Sequence, residues 1–174
     1  MRSKNLKGNW MKNKYRILVF SDSHGAHKEM IKAVNKQDYV DMILHAGDHA
    51  RDLNAIASRI NFRPILKAVK GNCDFGLSVP KDAFFDVRGV TILMTHGNEL
   101  GVKQGLHKID YLARQRGADI VIFGHTHLPA LVNKGDLYIL NPGTIGDARS
   151  MGKTYAIIEI GEDKDIRIDM IRHT

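Results

Sequence analysis

Hydrophobic and polar positions along the chain change period several times. Residues 16–20 (RILVF) form a continuous apolar run closed by Ser21-Asp22, the pattern of a strand buried on both faces. Within 27–37, Met30, Ile31 and Val34 recur at helical spacing. A short strand over 42–45 leads to Gly47-Asp48. Residues 52–60 put Leu53, Ile56, Ala57 and Ile60 on one helical face, with Asp52 as the expected N-cap. A strand over 65–69 runs into Gly71-Asn72. Residues 84–87 and 90–94 read as a hairpin about Arg88-Gly89. The spacing predicts the longest helix over 102–116, stopped at Gly117. A buried strand over 120–123 enters Gly124-His125. Residues 131–133 and 138–140 flank the turn Lys134-Gly135-Asp136, and 154–160 and 166–171 alternate at period two around a polar turn at 161–165.

The first half therefore reads βαβαβ, which implies parallel strands joined by crossover helices. The second half is rich in hairpins. Together they predict two packed mixed sheets with helices outside. No repeat, linker or low-complexity segment interrupts the pattern, so one domain is expected.

The chemistry-bearing residues fall where the strands stop. Asp22-x-His24 follows the first strand, Gly47-Asp48 the second and Gly71-Asn72 the third. His96-Gly97 follows the strand over 90–94, and Gly124-His125-x-His127 the strand over 120–123. In open α/β sheets, ligands gather at the carboxyl ends of strands, so these segments should converge on one pocket. Two carboxylates, four imidazoles and one amide oxygen exceed the needs of a four-coordinate structural zinc site, and no cysteine cluster accompanies them. The number suits two ions with one carboxylate bridging. Mixed oxygen and nitrogen donors favour Mn, Fe, Zn, Co or Ni over Ca or Mg. Two aspartates against two dications leave a cationic pocket, which attracts anionic substrates such as phosphates. Without a metal, so many chelating side chains at strand ends would leave buried polar groups unpaired.

Charge changes this picture little. The net charge of +7 invites a nucleic-acid reading, but residues 1–14 carry Arg2, Lys4, Lys7, Lys12 and Lys14 and no acid. Without those five charges the other 160 residues carry +2. The basicity belongs to an N-terminal appendage over 1–14, with the domain expected over 15–174 and Met11 as a natural alternative start. This argues against nucleic acid as a partner. Cys73 is the only cysteine, so no intramolecular disulfide forms, and no apolar stretch reaches the length of a membrane span. No apolar run follows the basic N-terminal residues in the manner of a secretory signal, so a cytoplasmic protein is expected. A homo-oligomer is compatible with the sequence.

In order along the chain, Asp22-Ser23-His24, Gly47-Asp48, Gly71-Asn72-Cys73-Asp74, His96 and Gly124-His125-Thr126-His127 resemble the calcineurin-like metallophosphoesterase family. That family's signature reads D-x-H, G-D, G-N-x-D/E, H and G-H-x-H. The resemblance spans about residues 15–171. The short chain, the Gly-Asn-Cys-Asp motif and Asn141-Pro142-Gly143-Thr144 look like its small prokaryotic phosphodiesterase branch, the YfcE type. The resemblance implies a four-layer α/β/β/α sandwich and a hydrolase of phosphoric ester bonds with a small phosphodiester substrate and two divalent ions, Mn foremost. It implies that Asp22, His24 and His127 hold one ion, that Asn72, His96 and His125 hold the other, and that Asp48 bridges them. A hydroxide between the ions would then attack phosphorus in line with the leaving oxygen. Asp48, Asn72 and His96 would act catalytically through that hydroxide and through phosphate positioning. The rival class is a protein-interaction scaffold of the same fold, as the retromer subunit resembles; its mark would be substituted ligands, and here all seven are present.

Two positions depart from the family pattern. Cys73 stands where many members carry a histidine that assists the leaving group, which predicts slow turnover of poor leaving groups. Asn98 stands where the branch commonly has the second histidine of His-Gly-His. His27, His49, Arg51 and Asn98 lie in the same loops outside the ligand set. His45 is expected to be a strand-end histidine without a role, His107 a helix-surface residue and His173 part of a frayed end.

Overall fold

The computed structural model describes residues 14–146 and 152–174. Of the basic appendage only Lys14 falls within them; its ammonium lies 3.3 Å from Glu159. Strand β1 (Tyr15–Phe20) is followed by helix α1 (His27–Asn35), β2 (Met42–His45), α2 (Asp52–Ala57) and β3 (Ile65–Ala68). Then come β4 (Asp82–Val87), β5 (Val90–Thr95), α3 (His107–Gln115), β6 (Ile120–Ile122), β7 (Ala130–Asn133) and β8 (Tyr138–Asn141). Strands β9 (Thr154–Ile160) and β10 (Ile166–Arg172) close the chain, with a 3₁₀ turn at Glu162–Lys164 between them.

The strands form two five-stranded sheets, ordered β10-β9-β1-β2-β3 and β4-β5-β6-β8-β7. In the first, β1, β2 and β3 run parallel, as the βαβαβ pattern requires, and the β9–β10 hairpin adds antiparallel strands. The second has a parallel centre, β5-β6-β8, with antiparallel β4 and β7 at its edges.

The period of two sorts side chains into layers. Ile17 and Val19 of β1 and Met42 and Leu44 of β2 meet Ile92, Met94, Ile120, Ile122 and Leu140 of the other sheet in a core between the sheets. The alternate residues Leu18, Phe20 and Ile43 pack outward on Met30, Val34 and Ile56 of α1 and α2. Leu93, Val121 and Ile139 pack outward on Ile109 and Ala113 of α3. The result is an α/β/β/α sandwich. Phe20 is fully buried, and truncating such a ring to Ala costs about 3–5 kcal/mol.

Register sets the position of the site. Phe20 lies opposite His45, and His45 opposite Ala68. In the other sheet, Met94 lies opposite Ile122, and Ile122 opposite Leu140. Parallel strands that stop level with one another deliver their following loops to one edge of the sandwich.

Four expectations need correction. The helix predicted over 102–116 begins only at His107 and spans nine residues, no longer than α1. Gly101 at φ 64° and Gly105 at φ 148° break it, since neither value is helical, although Gly117 ends it at φ 64° as expected. Asp52 does not cap its own helix; its carboxylate turns inward to Ser23 and to the N–H of Gly25. His45 is a fully buried member of a hydrogen-bonded relay. His173 is held rather than frayed: its N–H donates to the Lys153 carbonyl at 2.8 Å, its Nε2 lies 2.8 Å from Glu29 Oε2, and its ring edges onto Tyr155.

Candidate metal centre

Five loops bring the seven sequence-predicted donors together. Asp22, His24 and His127 form one group of facing ligand atoms, with His127 Nε2 at 3.1 Å from Asp22 Oδ1 and 3.4 Å from His24 Nε2. Asp22, Asp48 and His96 form a second. Asn72 joins it with Oδ1 at 3.1 Å from His96 Nε2, and the His125 ring stands edge-on to that of His96 at 5.1 Å between centroids.

Asp22 shows what this cluster is built to receive. It is fully buried, and its Oδ2 accepts from Ser21 Oγ and from the His125 N–H at 3.0 Å. Its Oδ1 makes no hydrogen bond, and His127 Nε2 lies 3.1 Å from it. A buried carboxylate oxygen without a hydrogen bond is costly, and a cation among Asp22, His24 and His127 would satisfy it together with the imidazole lone pairs. The His96 tautomer gives the same answer. Its Nδ1–H donates to the Ala46 carbonyl at 2.8 Å, so in the neutral ring the Nε2 lone pair faces Asn72 Oδ1 and, at 3.5 Å, Asp48 Oδ1. Acceptors facing one point suit a metal ion, or in its place a proton on Nε2, and a backbone carbonyl behind the imidazole is the usual orienting partner of a ligand histidine.

The electrostatics are already polarised. Burial raises the Asp48 carboxyl, but His96 and the Cys73 N–H, at 2.7 Å from Oδ1, outweigh it and hold Asp48 well below the usual carboxylate range. Burial lowers His96, yet Asp48, Asp22 and the Ala46 carbonyl raise it more. His125 is pushed down by burial and then by Lys103 and His96. The Cys73 thiol is pushed up to about 11 by burial and by Asp48, so it stays protonated and unreactive near neutral pH.

The backbone of the site is strained. Asp22, His24, Asp48, His125 and His127 all have φ between 45° and 67°, as does His49 at 63°. Non-glycine residues seldom occupy this region, and they persist there only where surrounding bonds hold them. Residues outside the predicted set supply those bonds. The Gly47 N–H donates to His45 Nδ1 at 3.2 Å, so His45 donates through Nε2 to Ser23 Oγ at 2.9 Å. Ser23 in turn donates to Asp52 Oδ2 at 2.7 Å, which also accepts the Gly25 N–H at 2.9 Å. Thr144 Oγ1 donates to the Asp22 carbonyl at 2.8 Å, and Asn141 Nδ2 to the Gly124 carbonyl at 3.0 Å. Asp74 accepts from the Ala50 and Gly71 N–H groups, each at 3.0 Å, tying the Asp48 and Asn72 loops together. Gly71 is needed for close approach, because a Cβ there would collide with the Asp48 carboxylate.

The motifs had already displayed Ser23, Asp74, Asn141 and Thr144, but nothing in the sequence marked them as supports. His45 and Asp52 were assigned other parts. Of the loop residues outside the donor set, His49 lies 5.2 Å from the His24 ring, whereas Arg51 and Asn98 are exposed.

Donors gathered at strand ends in this way form a candidate metal-binding site. The chain belongs to the calcineurin-like phosphoesterase superfamily, whose domain matches residues 15–163. It is 34% identical over 150 residues to the probable metallophosphoesterase YsnB of Bacillus subtilis, covering 84% of this chain and 85% of that one. It is 27% identical over 105 residues to the phosphodiesterase YfcE of Escherichia coli K12, covering 55% and 50%. Among solved structures, a predicted phosphoesterase from Streptococcus pneumoniae matches with TM-score 0.77 and 29% identity over 92% of this chain and 90% of that one. Zinc-complexed Vps29 of Entamoeba histolytica shares the fold at TM-score 0.71, with 20% identity over 91% and 99%.

Proposed function

We propose that this protein hydrolyses phosphodiesters at a pair of divalent ions. The observation that carries the reading is the buried Oδ1 of Asp22, which makes no hydrogen bond in the midst of the converging histidines. In this reading Asp22, His24 and His127 would hold one ion, Asn72, His96 and His125 the other, and Asp48 would contribute to both. The mixed nitrogen and oxygen donors favour Mn, with Zn, Fe, Co or Ni as alternatives. Bound ions supply the acidity that activates a water and the charge that neutralises phosphoryl oxygens.

The chain's own residues then do the positioning. His96, anchored at Nδ1, and Asn72 orient the substrate phosphate beside Asp48, whose depressed pKa keeps it a carboxylate through the working pH range. Cys73 stays neutral and supplies no cationic help to the leaving oxygen. The phosphodiester preference is supported by the likeness to YfcE and by the Gly-Asn-Cys-Asp motif. Residues 15–174 act as one domain in this reading, with 1–14 an appendage to it.

The test is hydrolysis of bis-p-nitrophenyl phosphate and of p-nitrophenyl phosphate by protein loaded with Mn. Faster turnover of the diester, abolished by chelation and restored by metal, is the expected result. Metal binding without turnover of either ester would replace the enzyme by a scaffold of the same fold.

A further inference from the structure

Beside the metal centre, on the Asn72 side, lies a cavity of about 320 Å³. Of the seven donors only Asn72 lines it. Small-molecule sites begin at about 300 Å³, so the space suits one compact group and not an oligomer.

Its walls describe that group. Phe75, three residues beyond Asn72, presents a ring that is 82% exposed, and Leu100 and Leu112 supply further apolar surface. Two cations, Lys70 and Lys81, are balanced by two anions, Asp82 and Glu99. Lys81 Nζ lies 2.6 Å from Glu99 Oε1, so one of the cations is already committed. A second phosphate would therefore meet carboxylates as readily as ammonium groups, whereas an uncharged group meets no opposition. Asn98, also on the lining, offers an amide donor and acceptor to heteroatoms on a ring edge. An aromatic face, apolar walls, zero net charge and an amide fit a planar heterocycle.

We infer that this cavity receives an uncharged ring of the nucleobase kind, carried by the phosphate ester whose phosphorus lies at the metal centre, with Phe75 as its stacking face. The inference rests on the phosphoesterase reading and adds the chemical class of the group beyond the phosphate. Phe75 confers specificity for the ring without touching the metal.

Calorimetric titration of the Mn-loaded full chain with adenosine 5′-monophosphate, phenyl phosphate and methyl phosphate tests it. Base–aromatic stacking predicts that the nucleotide binds about tenfold or more tightly than methyl phosphate. Phe75→Ala should erase that preference and leave methyl phosphate binding unchanged, and Phe75→Trp should retain it. Phe75 is exposed, so its removal takes nothing from the core. Equal affinities in the wild type, or a preference that survives Phe75→Ala, would overturn the inference. Phenyl phosphate binding as tightly as the nucleotide would overturn the nucleobase assignment. Failure of the same preparation to hydrolyse bis-p-nitrophenyl phosphate would sink the hydrolase reading while leaving the affinity comparison valid.

Discussion

The backbone N–H of His125 donates to Asp22 Oδ2 at 3.0 Å, joining the loop after β6 to the loop after β1. This one bond ties a donor loop of one sheet to a donor loop of the other. Oδ1 of Asp22 makes no hydrogen bond and lies 3.1 Å from His127 Nε2.

Asp22 belongs to both groups of facing His and Asp donors, whereas the resemblance gives the bridging role to Asp48. Asp48 lies with His96 in one of the groups, near the amide of Asn72 and the ring of His125, and its bridging of the two ions is the part of the proposal that metal stoichiometry tests. Asp48→Asn should lose both ions and bring diester hydrolysis to background with the fold intact. Asp22→Asn should lose one ion, and His49→Ala should keep both and most of the activity. Elemental analysis of dialysed variants gives the stoichiometry. Loss of both ions from Asp22→Asn with one retained in Asp48→Asn would reverse the assignment.

The buried relay of His45, Ser23 and Asp52 has a pH signature. Burial, opposed only in part by Asp22, Asp74 and Asp52, pushes His45 down to about 4. The unfolded chain takes up this proton near the ordinary histidine value of about 6.5, and the folded chain does not. Stability from His45 is therefore fully present above about pH 6.5, falls as pH drops towards 4 and changes no further below it, a loss of up to about 3 kcal/mol. Urea midpoints of metal-free protein between pH 7 and 4 should show it, and His45→Gln, whose amide can still donate to Ser23, should remove that component. Ser23→Ala breaks the relay without touching a donor atom and should weaken metal affinity by about 10–100-fold. Unaltered metal affinity in Ser23→Ala would reduce the relay to a packing feature.

Cys73 sets the demand on the leaving group. Its thiol stays neutral, so departing oxygens receive no imidazolium help. The kcat/KM for diesters of graded leaving-group pKa should fall steeply, aryl esters reacting best and alkyl esters worst. General acid help is worth about 10²–10⁴-fold, so Cys73→His should improve the alkyl esters selectively and by up to that factor. A flat wild-type dependence with chemistry rate-limiting would place the acid elsewhere, with His27, His49 and Asn98 the first candidates.

Much of this could be read from the one-dimensional pattern. Continuous apolar runs gave the parallel strands, period-two runs gave the hairpins, and donors placed just after strand ends gave the cluster. These signals are local: a strand's burial and the residue that follows it are both written within a few positions. The helix over 107–115 was overextended because glycine is read as tolerable in a helix, and only the backbone shows that Gly105 has left helical space.

What the sequence by itself determined was the inventory of donors and their order at the ends of strands. Only the tertiary structure decided which donors face one another, which oxygen of Asp22 is left open and which residues keep five donors at positive φ. His45, Ser23 and Asp52 are spread over 30 residues, on β2, the loop after β1 and α2, and their bonds exist only once these segments have packed. A hydrogen bond depends on distance and direction in space, and neither is carried by the identity of the residues or their spacing along the chain.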